Sequence, residues 1–284
     1  MTKTCGSILA IRRYPVKSMR GESLEASTIT ARGLGGDRAF ALIDRAGGKV
    51  VSAKHPRLWG RLLDCRAVLT TLPDSCAAPA VRITLPNGRF VSDREEAEEL
   101  LSVLLDREVT LSAEPPPKPE IDRYWPDIAG LRLRDTVTTG AIGLGAPPGT
   151  FLDHAPVHLL TTATLAHLRT LHPDGRIEVE RFRPNLLIAS PAGTPGFVEN
   201  DWVGRTLLVG DEVRLRVTDP TPRCVVPTLP QPDLPQDIGV LKAIAAHNRP
   251  TIPALDGAAQ PCLGVYAVVE QGGTIRLQDE VRPA

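Results

Sequence analysis

Cys224 is the residue of this chain whose type and neighbours are best suited to carry chemistry. The segment from Asp219 to Thr228 reads Asp-Pro-Thr-Pro-Arg-Cys-Val-Val-Pro-Thr and follows a strand-like run at residues 213–217. Prolines fix φ and cannot donate to a sheet, so we expect a stiff loop at the end of a strand. The neighbouring Arg223 favours the thiolate form of Cys224, which attacks electrophiles and binds soft metals. A small buried cysteine beside a surface arginine is the simpler interpretation of this segment alone.

Several other short motifs offer groups that bind anions. Lys17 and Ser18 follow the first predicted strand, where a positive charge and a hydroxyl suit a phosphate. Arg38 follows a glycine-rich turn, which is not a dinucleotide fingerprint because a strand follows it and not a helix. Arg183 and Asn185 precede another predicted strand and are suited to anion recognition. Taken singly, each has a simpler explanation: a solvated lysine, a tight turn, or an arginine at a strand edge.

A predicted helix offers a further anion site at its N-terminus. Leu165, Leu168 and Leu171 recur at helical spacing, and Thr161 or Thr162 can cap the first turn. The free N–H groups of a first turn carry partial positive charge and can hold a phosphate. The phosphate role would be in addition to the N-cap role.

The composition excludes several classes of function. The 33 basic and 33 acidic residues of this 284-residue chain leave no net charge, which argues against a dedicated nucleic-acid or membrane-surface binder. No apolar run reaches the roughly 18 residues of a membrane span, and the N-terminus shows no signal-peptide pattern. We therefore expect a cytoplasmic protein.

The cysteines do not form a recognisable redox or metal framework. There are five of them, at positions 5, 65, 76, 224 and 262, and none makes a Cys-x-x-Cys pair. This odd, scattered set disfavours a disulfide scaffold, a structural zinc site and a ferredoxin-type cluster. Redox chemistry would need electrons from another protein or another cofactor.

Short apolar and alternating runs indicate a β-rich chain. Strands are predicted at residues 8–11, 39–43, 49–52, 81–85, 89–91, 186–188, 207–209, 213–217, 264–269 and 274–277. Helices are predicted after a capping box at Ser92 and Glu95, after Thr161 or Thr162, and from Asp237 to Asn248. Many short strands with few helices indicate an α+β, β-rich fold, barrel-like at its core. A proline-rich stretch at 115–119 predicts a domain boundary between about residues 110 and 125.

The motifs occur in an order that resembles a known family. The chain is similar to MOSC proteins, and to bacterial relatives of the mitochondrial amidoxime-reducing component, from about residue 7 to residue 282. The motifs that carry the resemblance are Tyr14–Ser18, Gly36–Arg38, Arg181–Asn185, Arg223–Cys224 and Gly264–Ala267. The resemblance implies a MOSC fold with a β-barrel core and two intertwined regions: an N-terminal β-barrel region at residues 1–112 and a MOSC domain at 113–284.

The resemblance also implies a cofactor and its ligands. The cofactor would be a molybdenum ion held by the dithiolene of a pyranopterin, with Cys224 as the protein thiolate on the metal and Asp153 near it. The residues implied to bind the cofactor are Lys17, Ser18, Arg38, Thr161, Thr162, Arg183, Asn185 and Arg223. The chain departs from the family pattern in the proline-rich loop at 229–235, which we expect to border the substrate entrance.

Three functions follow from the resemblance. The first is a molybdenum-dependent oxidoreductase that reduces N-oxygenated (N-hydroxylated) compounds, with electrons from a separate ferredoxin, flavoprotein or cytochrome. The second is a sulfurtransferase that carries a persulfide on Cys224. The third is a non-catalytic cofactor carrier or interaction module.

Overall fold

Strands dominate the structure, a computed structural model that describes residues 4–71, 80–129, 131, 133–143, 145–255 and 257–284. The strands in these ranges are β1 (Gly6–Arg13), β2 (Glu22–Leu24), β3 (Ala26–Thr30), β4 (Gly33–Leu34), β5 (Ala41–Asp44), β6 (Arg66–Thr71), β7 (Ala80–Thr84), β8 (Phe90–Val91), β9 (Val109–Ser112), β10 (Glu120–Trp125), β11 (Thr136–Ala141), β12 (Val157–Thr161), β13 (Leu186–Ala189), β14 (Thr206–Val209), β15 (Val213–Pro222), β16 (Thr251–Ile252), β17 (Ala258–Ala259), β18 (Cys262–Gln271), β19 (Gly273–Arg276) and β20 (Glu280–Pro283). The helices are α1 (Pro56–Trp59), α2 (Arg94–Leu105), α3 (Thr162–Leu171) and α4 (Ile238–His247). No helix in the described ranges is long and apolar enough to cross a membrane.

Seven strands close into a barrel. Their order is β13-β12-β18-β15-β14-β20-β1, and β1 pairs back onto β13, while β2 extends the sheet from β1. Alternate residues of each strand face inward, as the two-residue period of a strand requires. Val157 and Leu159 of β12 and Val265 and Ala267 of β18 are all fully or almost fully buried in this core. The predicted β-rich α+β fold with a barrel at its core is confirmed.

A second hydrophobic core lies in the N-terminal region. Strands β6, β7 and β8 form one small sheet and β5 pairs with β9. Helix α2 buries Ala97, Leu101 and Leu105 against this core. The helix is confirmed but its predicted cap is wrong: the Asp93 carboxylate, not Ser92, accepts from the Glu96 N–H. Either short polar side chain satisfies an orphan donor, so the sequence left the choice open.

The N-terminus of the chain takes part in the barrel. β1 pairs with β13 and β20, both of which belong to the second half of the chain. The first strand of the N-terminal region therefore closes a barrel whose other strands follow residue 156. The domain boundary between residues 112 and 113 stays a prediction.

The prolines near Cys224 do not end the strand as expected. β15 continues through Pro220 to Pro222, where the prediction placed a loop. The register shifts between Val217 and Asp219 and again between Pro220 and Pro222. Such bulges leave positions where the ladder needs no N–H donor, which is how a strand tolerates proline. The segment before Cys224 is therefore a bulged strand and not a loop. Cys224 lies two residues beyond the end of β15.

Candidate functional site

A cavity opens where several barrel strands and their connections end. It encloses about 810 Å³, counted to its open mouth. Cys224 lies in its wall after β15, Tyr266 projects from β18, and His158 from β12. The predicted site residues in its wall are Lys17, Ser18, Arg38, Asp153, Arg183, Asn185, Arg223 and Cys224. The fold thus brings together groups that lie up to about two hundred positions apart in the sequence, all of the predicted set except Thr161 and Thr162.

Three of these residues have an unusual backbone conformation. Ser18, Arg38 and Arg183 have φ values of 68°, 47° and 55°. Positive φ is uncommon outside glycine and costs free energy, so it persists where the surroundings impose it. The Ser18 hydroxyl accepts from the Ala53 N–H at 3.0 Å, and the Arg38 N–H donates to the Tyr14 carbonyl at 2.8 Å. Strain of this kind clusters at ligand sites.

Two guanidinium groups flank the ring of Tyr14. The Cζ atoms of Arg38 and Arg183 lie 4.5 Å and 4.3 Å from the centroid of the ring, within cation–π range. Arg38 pairs with the buried carboxylate of Asp37, whereas Arg183 makes no ion pair within the described residues. Burial, followed by the charge of Arg38, lowers the pKa of Arg183 to about 10. Arg183 therefore carries a positive charge that an anionic ligand can neutralise.

Asp37 organises this side of the cavity. Its carboxylate accepts from the Tyr14 N–H at 2.8 Å and from the Asn185 amide at 2.9 Å. The Asn185 amide oxygen accepts from the His158 N–H at 3.0 Å. Asn185 thus lines the cavity while its polar atoms hold β12 and β1 in place. The sequence motif contained Asp37, but its role as an organiser was not predicted.

Asp153 is held by two lysines. Its carboxylate lies 2.7 Å from the Lys17 ammonium and 3.1 Å from that of Lys54. Burial raises the pKa of Asp153, but the two ammonium groups outweigh it and hold the pKa well below its usual range. Burial lowers the pKa of Lys17 to about 8, against the opposing charge of Asp153. Lys54 was not predicted, although a cation just after the predicted strand 49–52 was a usable signal.

The Lys17 environment predicts a pH dependence of stability. Above pH 8 the folded protein releases the Lys17 proton, while the unfolded chain keeps it up to pH 10.5. Because the unfolded state then binds more protons, the free energy of unfolding should rise between these pH values. The difference between wild type and Lys17→Met, measured by urea denaturation of cofactor-free protein, should grow by up to about 3 kcal/mol from pH 7 to pH 10. The exposed Lys118→Met should show no such growth, and parallel curves for Lys17→Met would contradict the prediction.

The segment around Cys224 is fixed from both sides. The Arg223 N–H donates to the Pro261 carbonyl at 2.7 Å, and its guanidinium donates to the Phe182 carbonyl at 2.9 Å. A 3-10 turn at Val226–Thr228 follows the cysteine. The Arg223 Nε is buried and has no partner within the described residues, a donor left for a ligand. The Cys224 side chain is half-buried in the cavity wall.

Thr161 and Thr162 do not line the cavity. Thr161 is the N-cap of α3, as predicted, because its hydroxyl accepts from the Thr164 N–H. The Thr161 N–H donates to the buried carboxyl group of Glu199 at 2.7 Å, so an internal acceptor already occupies this helix start. The Thr162 hydroxyl accepts from the Ser190 N–H at 2.9 Å. A cofactor role for this pair stays a prediction and rests on the resemblance alone.

The proline-rich loop after Cys224 lies beside the cavity. Gln231 and Leu234 line a neighbouring cleft that shares the side chain of Arg183 with the cavity. The cavity wall itself is completed by Val226. The loop therefore borders a cleft next to the cavity, and Arg183 belongs to the walls of both.

Family models match most of the chain. The MOSC N-terminal beta barrel domain matches residues 5–102, and the MOSC domain matches residues 146–282. The chain is a MOSC-domain protein. Strands β12 to β19 fall within the second range, and every predicted site residue falls within one of the two.

Curated relatives are similar over almost the full length of the chain. Mitochondrial amidoxime-reducing component 1 of Mus musculus is 26% identical over 299 residues, which cover 97% of this chain and 82% of the relative. The Homo sapiens component 1 is also 26% identical, and the match again covers 97% of this chain and 82% of the relative. The Homo sapiens component 2 is 23% identical and covers 97% of this chain and 83% of the relative.

Two solved structures match the chain with low TM-scores. The YUAD protein from Bacillus subtilis has a TM-score of 0.44 and 11% identity, covering 99% of this chain and 97% of that one. YiiM from Geobacillus stearothermophilus has a TM-score of 0.30 and 17% identity, and the match covers 52% of this chain and 67% of that one.

Proposed function

We propose that this MOSC-domain protein is a molybdenum-cofactor-dependent oxidoreductase that reduces N-oxygenated compounds, with Cys224 as the ligand of molybdenum. The observation that carries the proposal is the convergence of one accessible thiol with a set of cations in a single cavity. The relatives named for amidoxime reduction support the same class of substrate, compounds with an N–O bond. MOSC domains are associated with molybdenum-cofactor binding, which gives the cavity its expected occupant.

The residues present fit that cofactor. A pterin phosphate needs cations and N–H donors, and a soft metal needs a thiolate. Among the residues that the structure describes, Arg183 has no carboxylate partner for its charge, and the buried Nε of Arg223 has no acceptor. We assign the phosphate and pterin to Lys17, Ser18, Arg38, Arg183, Asn185 and Arg223, and the metal to Cys224. When bound, the cofactor supplies the two-electron redox chemistry, and the protein orients and tunes it.

The chain's own residues must deliver protons and position the substrate. Reduction of an N-hydroxyl group to the amine consumes two electrons and two protons and releases water. Lys17 and Lys54 hold protons at Nζ in the cavity wall, and both are kept in place by Asp153. The side chain of Lys54 is 18% exposed, so solvent can replace a proton that it gives up. We assign Asp153 to the proton-handling side of the cavity, near the metal.

The electrons must come from a separate protein, because no residue type in the described cavity wall is a two-electron reductant. A ferredoxin, a flavoprotein or a cytochrome fits this requirement. Each would pass single electrons to the cofactor, two for each substrate reduced.

The test is the metal and pterin content of protein purified from a host that makes the molybdenum cofactor. We expect near-stoichiometric molybdenum with pterin, and reduction of an N-hydroxylated probe such as benzamidoxime when a chemical reductant supplies electrons. Protein without molybdenum from such a host would overturn the proposal. Mass spectrometry would then look for added sulfur on Cys224 after incubation with a cysteine desulfurase, since an accessible thiol in an open cavity also suits a persulfide carrier.

A further inference from the structure

Tyr266 lies in a row of polar side chains that crosses three barrel strands. It pairs directly with His158 on β12 and with Asp219 on β15. Its chain neighbours Val265 and Ala267 are in the barrel core, so the alternation of β18 directs Tyr266 away from that core and into the cavity wall. Three polar residues in register, beside apolar positions on the same strands, indicate a role other than packing of the barrel core.

The ring of Tyr266 is held between two histidines. The ring centroid lies 5.2 Å from that of His154 and 5.8 Å from that of His158, both tilted. The His154 Nε2 lies 3.3 Å from the Asp219 carboxylate, whose other oxygen accepts from the Ala254 N–H at 3.2 Å. Asp219 thus anchors His154 to a loop, and His154 packs on the tyrosine. The phenol is fixed by contacts from both sides.

Gly264 leaves space for the His158 side chain that packs on Tyr266. Gly264 has a φ of 77°, and a Cβ there would lie 2.6 Å from the His158 Nε2 and 2.4 Å from the Leu159 carbonyl oxygen. A side chain at this position would therefore displace His158 or the strand. Gly264 precedes Tyr266 by two residues on the same strand. Its lack of a side chain therefore allows His158 to pack against the Tyr266 ring.

The hydroxyl of Tyr266 has no hydrogen-bond partner within the described residues, and its partly buried side chain lines the cavity. Burial, followed by the charge of Asp153, raises the pKa of Tyr266 well above its usual range. The group is therefore a neutral phenol, an O–H donor without an acceptor. Burial and the charge of Arg223 lower the pKa of His158 well below its usual range, so this neighbour is a neutral imidazole.

We propose that Tyr266 is a catalytic residue that donates a hydrogen bond to the oxygen of the bound N-oxygenated substrate, and that His154 and Asp219 are the residues that position it. The inference rests on the proposed function. As the N–O bond breaks, negative charge grows on this oxygen before the two protons arrive. A fixed O–H donor stabilises that charge more in the transition state than in the bound substrate. No covalent bond to tyrosine forms, and the phenol keeps its proton at the end of the cycle.

The kinetic test compares three variants of the molybdenum-loaded protein with benzamidoxime as the substrate. Tyr266→Phe should lower kcat by about 100-fold with little change in KM, as for the loss of an oxyanion donor. Asp219→Leu should lower kcat by about 10-fold, because His154 loses its anchor and the phenol loses its orientation. The matched control is Tyr124→Phe, which removes a hydroxyl bound to the exposed Asp135 and should leave kcat unchanged. Full kcat in Tyr266→Phe would overturn the catalytic role.

A second measurement does not depend on activity. The chain has three tyrosines, so 3-fluorotyrosine gives three resonances, which single Tyr→Phe variants assign. In His154→Ala and Asp219→Leu the Tyr266 resonance should shift or broaden while that of Tyr124 stays unchanged, with or without molybdenum. An unmoved Tyr266 resonance would overturn the positioning role. Absence of molybdenum would remove the catalytic role together with the proposed function, and the resonances would still decide whether His154 and Asp219 hold the phenol.

Discussion

Cys224→Ser is expected to abolish most of the molybdenum chemistry of this protein while leaving its fold intact. Serine is a hard oxygen ligand, whereas molybdenum with a dithiolene is matched by soft thiolate. Loss of residues that merely orient a ligand costs 10–100-fold in metal affinity or activity, so loss of the ligand itself should cost at least about 100-fold. Cys224 is half-buried in the wall of an open cavity, and an oxygen fits the space of a sulfur.

The measurement is molybdenum and pterin content beside the rate of benzamidoxime reduction. Cys5→Ser is the control, because Cys5 lies at the edge of the barrel core and contributes nothing to the cavity wall. The bound pterin gives a second readout, since Lys17, Arg38 and Arg183 should still hold its phosphate when the thiolate is gone. Full activity in Cys224→Ser would refute the ligand assignment and leave the cavity without its metal-binding group.

The local elements of the barrel were predictable from short stretches of sequence. β13, β14 and α4 match their predicted runs closely, because each has a repeating apolar pattern and a cap or turn beside it. The same holds for β7 and β8, which lie close to the runs predicted at 81–85 and 89–91. Two details, the helix cap at Asp93 and the strand end at Pro222, turn on a choice between neighbouring residues that the tertiary context makes. The strand predicted at 49–52 is wrong, because Val50 pairs with Ile43 only through an isolated bridge.

The site could be predicted as a set of residue types but not as an arrangement. The cations and the thiol stood out because their charge and reactivity are visible one residue at a time. The role of Asp37 was hidden, since its partners Tyr14 and Asn185 are 23 and 148 positions away. Glu199 was hidden for the same reason, because it lies 38 positions from Thr161, whose N–H it accepts at the start of α3. Positive φ at Ser18 and Arg38 likewise accompanies contacts with residues far away in the sequence, Ala53 and Tyr14.

Arg181→Met is expected to destabilise the protein more than any surface substitution, although the residue carries no predicted role in chemistry. Arg181 is fully buried and makes no ion pair within the described residues. Its guanidinium donates to the carbonyls of Arg176 at 2.7 Å, Pro227 at 3.0 Å and Pro235 at 2.9 Å. These contacts tie the loop after Cys224 to the segment before β13. Three carbonyls would lose their donor at about 1–3 kcal/mol each, partly relieved by no longer burying a charge, so we expect a loss of about 4 kcal/mol.

The loss should be visible in two measurements, which together separate stability from site geometry. Urea denaturation should place Arg181→Met about 4 kcal/mol below wild type, and Arg181→Lys about halfway, because an ammonium keeps the charge and some of the donors. Arg94→Met, whose side chain is 65% exposed on α2, should stay within about 0.5 kcal/mol. Molybdenum content should fall in Arg181→Met even where the protein is folded, since Pro227 is three residues from Cys224 and its carbonyl fixes the turn that follows the thiolate. A stable Arg181→Met with full molybdenum would show that the turn holds its shape through its own Thr228–Val225 hydrogen bonds.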